Sequence, residues 1–180
     1  MNNLKKVISI VSLCFIFFII YFLQANFFSW FNIAGIKPNL IILLMLVIGL
    51  FIGKKVGIIF AIITGILLDL LGGKIIGITS IMFIIIVILS DIYDKNFSKD
   101  SKIAIMLMVI STTTIYEVGV YMLNIIKTSS NIEFFAFTKI LVVEIIFNAI
   151  LTIILYPIIQ KAGMYLENNF KEPKILTRYF

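Results

Sequence analysis

Long apolar stretches separated by short polar breaks dominate the chain. Six apolar runs can be read off: Val7–Leu23, Leu40–Ile52, Val56–Leu71, Ile75–Leu89, Ile103–Ile126 and Phe134–Tyr156. Crossing a hydrocarbon core takes on the order of 20 apolar residues in helix, because backbone groups there must satisfy one another. The first run and the last two are long enough. The middle three are short and tightly linked by Gly53-Lys54-Lys55 and Gly72-Gly73-Lys74, where glycine supplies the backbone freedom of a sharp helix–helix turn. Short helices are tolerated where the bilayer thins or where neighbours cover their ends. The pattern therefore predicts an all-α integral membrane protein, a six-transmembrane-helix bundle forming one domain over residues 1–180. A re-entrant pair in the middle is the competing arrangement.

Composition narrows the class. Of the 180 residues 62% are apolar and only 13% charged, whereas a soluble domain carries roughly a quarter charged residues. The same apolar excess rules out a disordered chain. One cysteine allows no internal disulfide, and with no histidine a zinc or His-based catalytic site is excluded.

Charge then sets the orientation, since basic loops stay in the cytoplasm. An inside N-terminus assigns eleven basic residues to the cytoplasm: Lys5, Lys6, Lys54, Lys55, Lys95, Lys99, Lys102, Lys161, Lys171, Lys174 and Arg178. Only Lys37, Lys74 and Lys127 fall outside, and Lys139 lies within the last run. Both termini are thus expected in the cytoplasm. The net charge of +6 reports this bias, and anionic lipid accounts for it without nucleic acid.

The first run reads as an anchor that stays. It continues into Phe15-Ile16-Phe17-Phe18 and lacks the small-residue exit of a cleaved signal. Cys14 follows Leu13 where a lipidation site wants a small residue, so it is expected to be a buried apolar residue. The segment from Gln24 to Phe31 is aromatic and weakly polar, as suits an outer interface.

Gly57, Ala61, Gly65 and Asp69 recur every four residues and so share one helix face. Small residues at this spacing let a second helix approach closely. Either a partner or this protein's own bundle would use such a face. Asp69 lies near the outer end of its helix, where an ionisable group is costly unless paired or wet. It is a candidate for a functional contact, or for a carboxylate that meets Lys74 or water and fixes the turn.

Glu117 and Glu144 lie deeper, roughly 13–15 Å from the outer ends of their runs. Each belongs to a polar stripe at helical spacing: Thr113, Glu117, Tyr121 and Asn124 on one helix, Glu144, Asn148 and Thr152 on the other. Two antiparallel helices with matching stripes predict a polar seam, either a hydrogen-bonded clasp or a proton path or ligand pocket. Lys139 sits about 140° around the helix from Glu144 and reads as an interface anchor rather than its counter-ion.

No nucleophile–base pair, phosphate loop or metal-ligand cluster is present, so no enzyme and no cofactor are expected. The mixed loop of Asp91, Asp94, Lys95, Lys99, Asp100 and Lys102 could bind a cytoplasmic partner or serve as a solvated linker.

Pro38-Asn39-Leu40 opening the second run, Gly65-Ile66-Leu67-Leu68-Asp69-Leu70, and Gly72-Gly73 leading to Gly77 resemble the bacterial rod-shape-determining MreD family. Size and the short basic tail fit as well, so the resemblance covers nearly the whole chain. Asn39 stands where the family often has Asp, and Ile76 where Leu usually precedes the glycine. The resemblance implies a non-enzymatic, multi-pass scaffold subunit of the bacterial cell membrane. Its expected partners are MreC, the MreB filament, RodA and a class B penicillin-binding protein. It also implies a fold resembling the substrate-binding subunits of energy-coupling-factor transporters. The alternative function is accordingly a subunit binding a small, vitamin-like molecule. Those subunits usually carry alanines four apart on the first helix, and Val7–Leu23 contains none.

Overall fold

A computed structural model describes residues 2–30, 32–33, 35–73, 75–128 and 133–171. Each apolar run carries a helix. In chain order these are α1 (Asn2–Phe22), followed by a π-helical turn (Leu23–Phe27) and the single turn α2 (Phe28–Trp30). After them come α3 (Leu40–Phe51), α4 (Lys54–Leu71), α5 (Ile78–Asn96), α6 (Lys102–Thr128) and α7 (Phe134–Phe170). Among the described residues the only extended pairing is a bridge between Ile33 and Ile36.

Among the described residues three segments are long and apolar enough to cross a membrane: Lys6–Phe27, Lys102–Ile126 and Phe134–Phe170. α3 is not one of them. Its length of about 18 Å falls well short of a hydrocarbon core of about 30 Å. It is instead the centre of the bundle. Every residue from Leu40 to Phe51 is buried, and α1, α4, α5, α6 and α7 all pack against it. A helix apolar all round is stable only when it is wrapped in this way.

The helices end where the backbone demands it. Gly53, at φ 94°, separates α3 from α4, and Gly77, at φ 101°, precedes α5. Both angles lie in the region open to glycine and costly for other residues. α5 thus begins at Ile78 rather than Ile75. It also runs on to Asn96, so Asp91, Asp94 and Lys95 lie on helix rather than in the expected loop. α7 likewise continues through Pro157 to Phe170, well past the end of the last apolar run at Tyr156. Beyond the proline, Ile159, Gln160, Gly163 and Leu166 keep a buried stripe at helical spacing. That packing offsets the hydrogen bond the proline removes.

α1 lies on the outside and lends the bundle a narrow stripe of Ser9, Leu13 and Phe17. Cys14, expected to be buried, is exposed, because it points about 100° away from Leu13.

Candidate functional site

The small-residue face of α4 is closed within the chain. Gly57, Ala61, Gly65 and Asp69 are all buried. Opposite them runs α5: a Cβ built on Gly57 would lie 2.7 Å from Val87 Cγ1, and one on Gly65 2.4 Å from the Cα of Ser80. The backbones meet because no side chain stands between them. Ser80 strengthens the contact by donating its hydroxyl to the Ile62 carbonyl at 3.2 Å.

At the end of this seam Asp69 turns back on the next helix. Its Oδ2 accepts the backbone N–H of Gly77 at 2.8 Å and that of Thr79 at 3.3 Å. Both groups belong to the start of α5, whose first amides have no partner inside the helix and form its positive pole. One oxygen of a fully buried carboxylate is therefore satisfied by a helix N-terminus. Lys74, the partner suggested by sequence, lies outside the described residues. The second carboxylate oxygen, Oδ1, is buried and takes no hydrogen bond among the described residues.

Asp69, Gly73, Ile75, Thr79, Val120 and Asn124 help line a cavity of about 260 Å³. A second cavity, of about 270 Å³, shares Thr79 and reaches Gln24, Lys37, Asn39 and Tyr116. Gly72 and Gly73 are exposed at this end, while Pro38 is buried where the chain enters α3.

The two polar stripes meet at Asn148. Its amide donates to the Thr113 hydroxyl at 3.1 Å, and its Oδ1 accepts the backbone N–H of Asn39 at 2.9 Å. Asn148 lies about 21 Å along α7 from Phe134, so α3 begins deep in the bundle rather than at its surface. Thr152 returns its hydroxyl to the Asn148 carbonyl at 2.6 Å. Glu144 is buried and Glu117 half-buried. Tyr121 leaves the seam to stack on Phe137, with ring centroids 4.1 Å apart, and Asn124 is exposed beside the Asp69 cavity. Lys139 is exposed.

A charged cluster closes the opposite end, which carries the lysine-rich turns. Lys99 bridges Asp94 at 2.8 Å and Glu167 at 2.6 Å, and Lys171 reaches Asp94 at 2.6 Å. Lys171 also donates to the Leu50 carbonyl at 2.7 Å, which places a cation at the negative pole of α3. Gln160 donates to the Lys99 carbonyl, and the Lys99 ammonium lies 5.0 Å from the Phe51 ring centroid. Burial alone would raise the Asp94 carboxyl, but hydrogen bonds and charge from Lys171 and Lys99 together hold it below its ordinary 3.8. Burial opposes the charge on Lys99 too, and its two carboxylates still raise it above 10.5. Opposite-sign residues in 91–102 and 161–171 are the only sequence hint of this cluster. Asn39 and Thr79 carry no such hint, since both act through backbone N–H groups.

Among the described residues no three of His, Cys, Asp and Glu gather as a metal site requires. The family model described as rod shape-determining protein MreD matches residues 5–165, from the start of α1 to late in α7. No curated protein and no solved structure matches the chain.

Proposed function

The chain belongs to the MreD family of rod shape-determining membrane proteins, and on that premise we propose that it is a non-enzymatic, multi-pass subunit of the bacterial cytoplasmic membrane. In this role it binds MreC and joins the MreB filament to peptidoglycan synthesis by RodA and a class B penicillin-binding protein. The family match over residues 5–165 is the observation that carries the proposal. The five long helices and the short α3 wrapped at their centre form one membrane-embedded bundle, with both termini and the lysine-rich end in the cytoplasm.

That orientation puts Asp69 and the turn from Gly72 to Gly77 outside, on the side of MreC's external coiled coil. Because Gly57, Ala61 and Gly65 are taken up by α5, the contact with MreC falls on this turn and its exposed Ile76. Co-purification tests it. MreC should accompany the wild-type chain, and Ile76→Glu should reduce its recovery at least fivefold at equal abundance of the bait. Failure of the wild-type chain to retain MreC would contradict the proposal.

The two cavities near Thr79 favour a second reading, a subunit that binds a small, vitamin-like molecule. Gene neighbourhood separates the two. MreB and MreC genes alongside point to the scaffold, and transporter ATPase or vitamin genes to the alternative.

A further inference from the structure

We propose that the Asp69 cavity is a binding site for a single cationic N–H donor, a guanidinium or primary ammonium group on a short aliphatic stem. Three observations lead there. First, Asp69 is fully buried, yet among the described residues only one of its two oxygens is used. Oδ2 takes the N–H groups of Gly77 and Thr79, and Oδ1 takes none. A buried acceptor left unsatisfied is costly, and a carboxylate oxygen more so than most.

Second, Asp69 lines a cavity of about 260 Å³, which exceeds the space of one water, about 30 Å³, several times over. It is too large to be a site for a bare ion held by protein oxygens alone. Third, the walls are of two kinds. Ile75, Ile78 and Val120 are apolar, while Asp69, Thr79 and Asn124 bring polar groups. An aliphatic stem against the first and a charged head on the second matches that division. An anion would bring only further acceptors to Oδ1, whereas a cationic N–H donor supplies the hydrogen bond it lacks. The assignment rests on this geometry alone and does not depend on MreC being the partner.

The test is calorimetric titration of the full chain in phosphatidylcholine nanodiscs with butylguanidinium, and with N-butylurea as its neutral isostere. Asp69→Asn keeps an amide oxygen for Gly77 and Thr79 but offers the cavity no negative charge. Val120→Phe fills the cavity and leaves the acid in place. Butylguanidinium should bind saturably, at least tenfold tighter than N-butylurea. Each substitution should weaken it at least tenfold while the thermal unfolding midpoint of Asp69→Asn stays near wild type. The titration is repeated in Lys74→Gln, so that an ammonium five residues along the sequence from Asp69 cannot compete. A short arginine peptide distinguishes the source. Tighter binding of the peptide assigns the group to a polypeptide side chain, and tighter binding of the free cation assigns it to a small molecule. Both outcomes support the site. Equal affinity in wild type and Asp69→Asn, or no saturable binding in either wild type or Lys74→Gln, would overturn it and leave Asp69 as a helix cap only.

Discussion

Asp69 Oδ2 lies 2.8 Å from the backbone nitrogen of Gly77, so the last turn of α4 caps the first turn of α5 across the glycine loop between them. A helix is normally capped by the residue at its own N-terminus. Here Gly77 takes that position without a side chain, and a carboxylate eight residues earlier does the work. The single interaction fixes the turn, satisfies two amides and buries the acid.

Removing that carboxylate exposes the dependence. Asp69→Ala should destabilise the bundle by roughly 1–3 kcal/mol, since two amides lose their acceptor in a buried setting. Asp69→Asn should cost less than about 1 kcal/mol, because an amide oxygen can still accept. Thermal unfolding in detergent, followed by circular dichroism, checks both; equal losses would argue against capping.

Glycine tolerance should differ by what each glycine faces. Gly65→Ala presses a methyl onto the Ser80 backbone at 2.4 Å and should cost roughly 1–3 kcal/mol. Gly119→Ala meets the flexible end of the Met82 side chain, Cε at 2.2 Å and Sδ at 2.5 Å, and should cost under about 1 kcal/mol. The ranking of the two unfolding midpoints is the readout, and a reversal would mean that the α4–α5 seam is not the tight one.

The seam at Asn148 predicts a third effect. Asn148→Leu preserves bulk but leaves the Asn39 N–H and the Thr113 hydroxyl without this partner, at a cost of roughly 1–3 kcal/mol. Thr113→Val on that background should add little further loss, because the bond it made is already gone. Additive losses in this double-mutant cycle would show the two residues to be uncoupled.

The charged cluster makes stability depend on pH at both extremes. The Asp94 carboxyl is held below its ordinary 3.8, so the folded chain binds that proton more weakly than the unfolded one. Its contribution is full above that value and is lost as pH falls through the depressed one. Lys99 is raised above 10.5, so its contribution is full below that value and is lost as pH rises through the raised one. Midpoints measured across pH should therefore fall at either end, and Asp94→Asn should flatten the acid limb. An unchanged acid limb would place the effect elsewhere.

Much of this fold is legible in the sequence wherever hydrophobicity decides. The run Leu40–Ile52 stands out because a fully wrapped helix has no polar face, and the helix ends one residue earlier, at Phe51. Helix ends carrying charge are another matter. Asp94 and Glu167 look like solvated residues until the fold brings Lys99 and Lys171 to them, across 68 residues in the case of Lys99 and Glu167. Spacing along one helix also gathers Thr113 with Tyr121, yet only the first turns toward Asn148. The four-residue repeat locates the close approach at Gly65 but not its partner, since a face that fits another protein's helix fits α5 equally well. Asp69 stands out by its cost in an apolar run. Its acceptance of backbone N–H groups is invisible in residue types, because every residue except proline has one.

Depletion of the protein, followed by microscopy of wall growth, tests the rod-shape role most directly. Depleted cells should widen and lose rod shape as side-wall peptidoglycan insertion becomes dispersed, and re-expression of the wild-type chain should restore both. Cells that keep a constant width and a normal insertion pattern after the protein is gone would contradict the account.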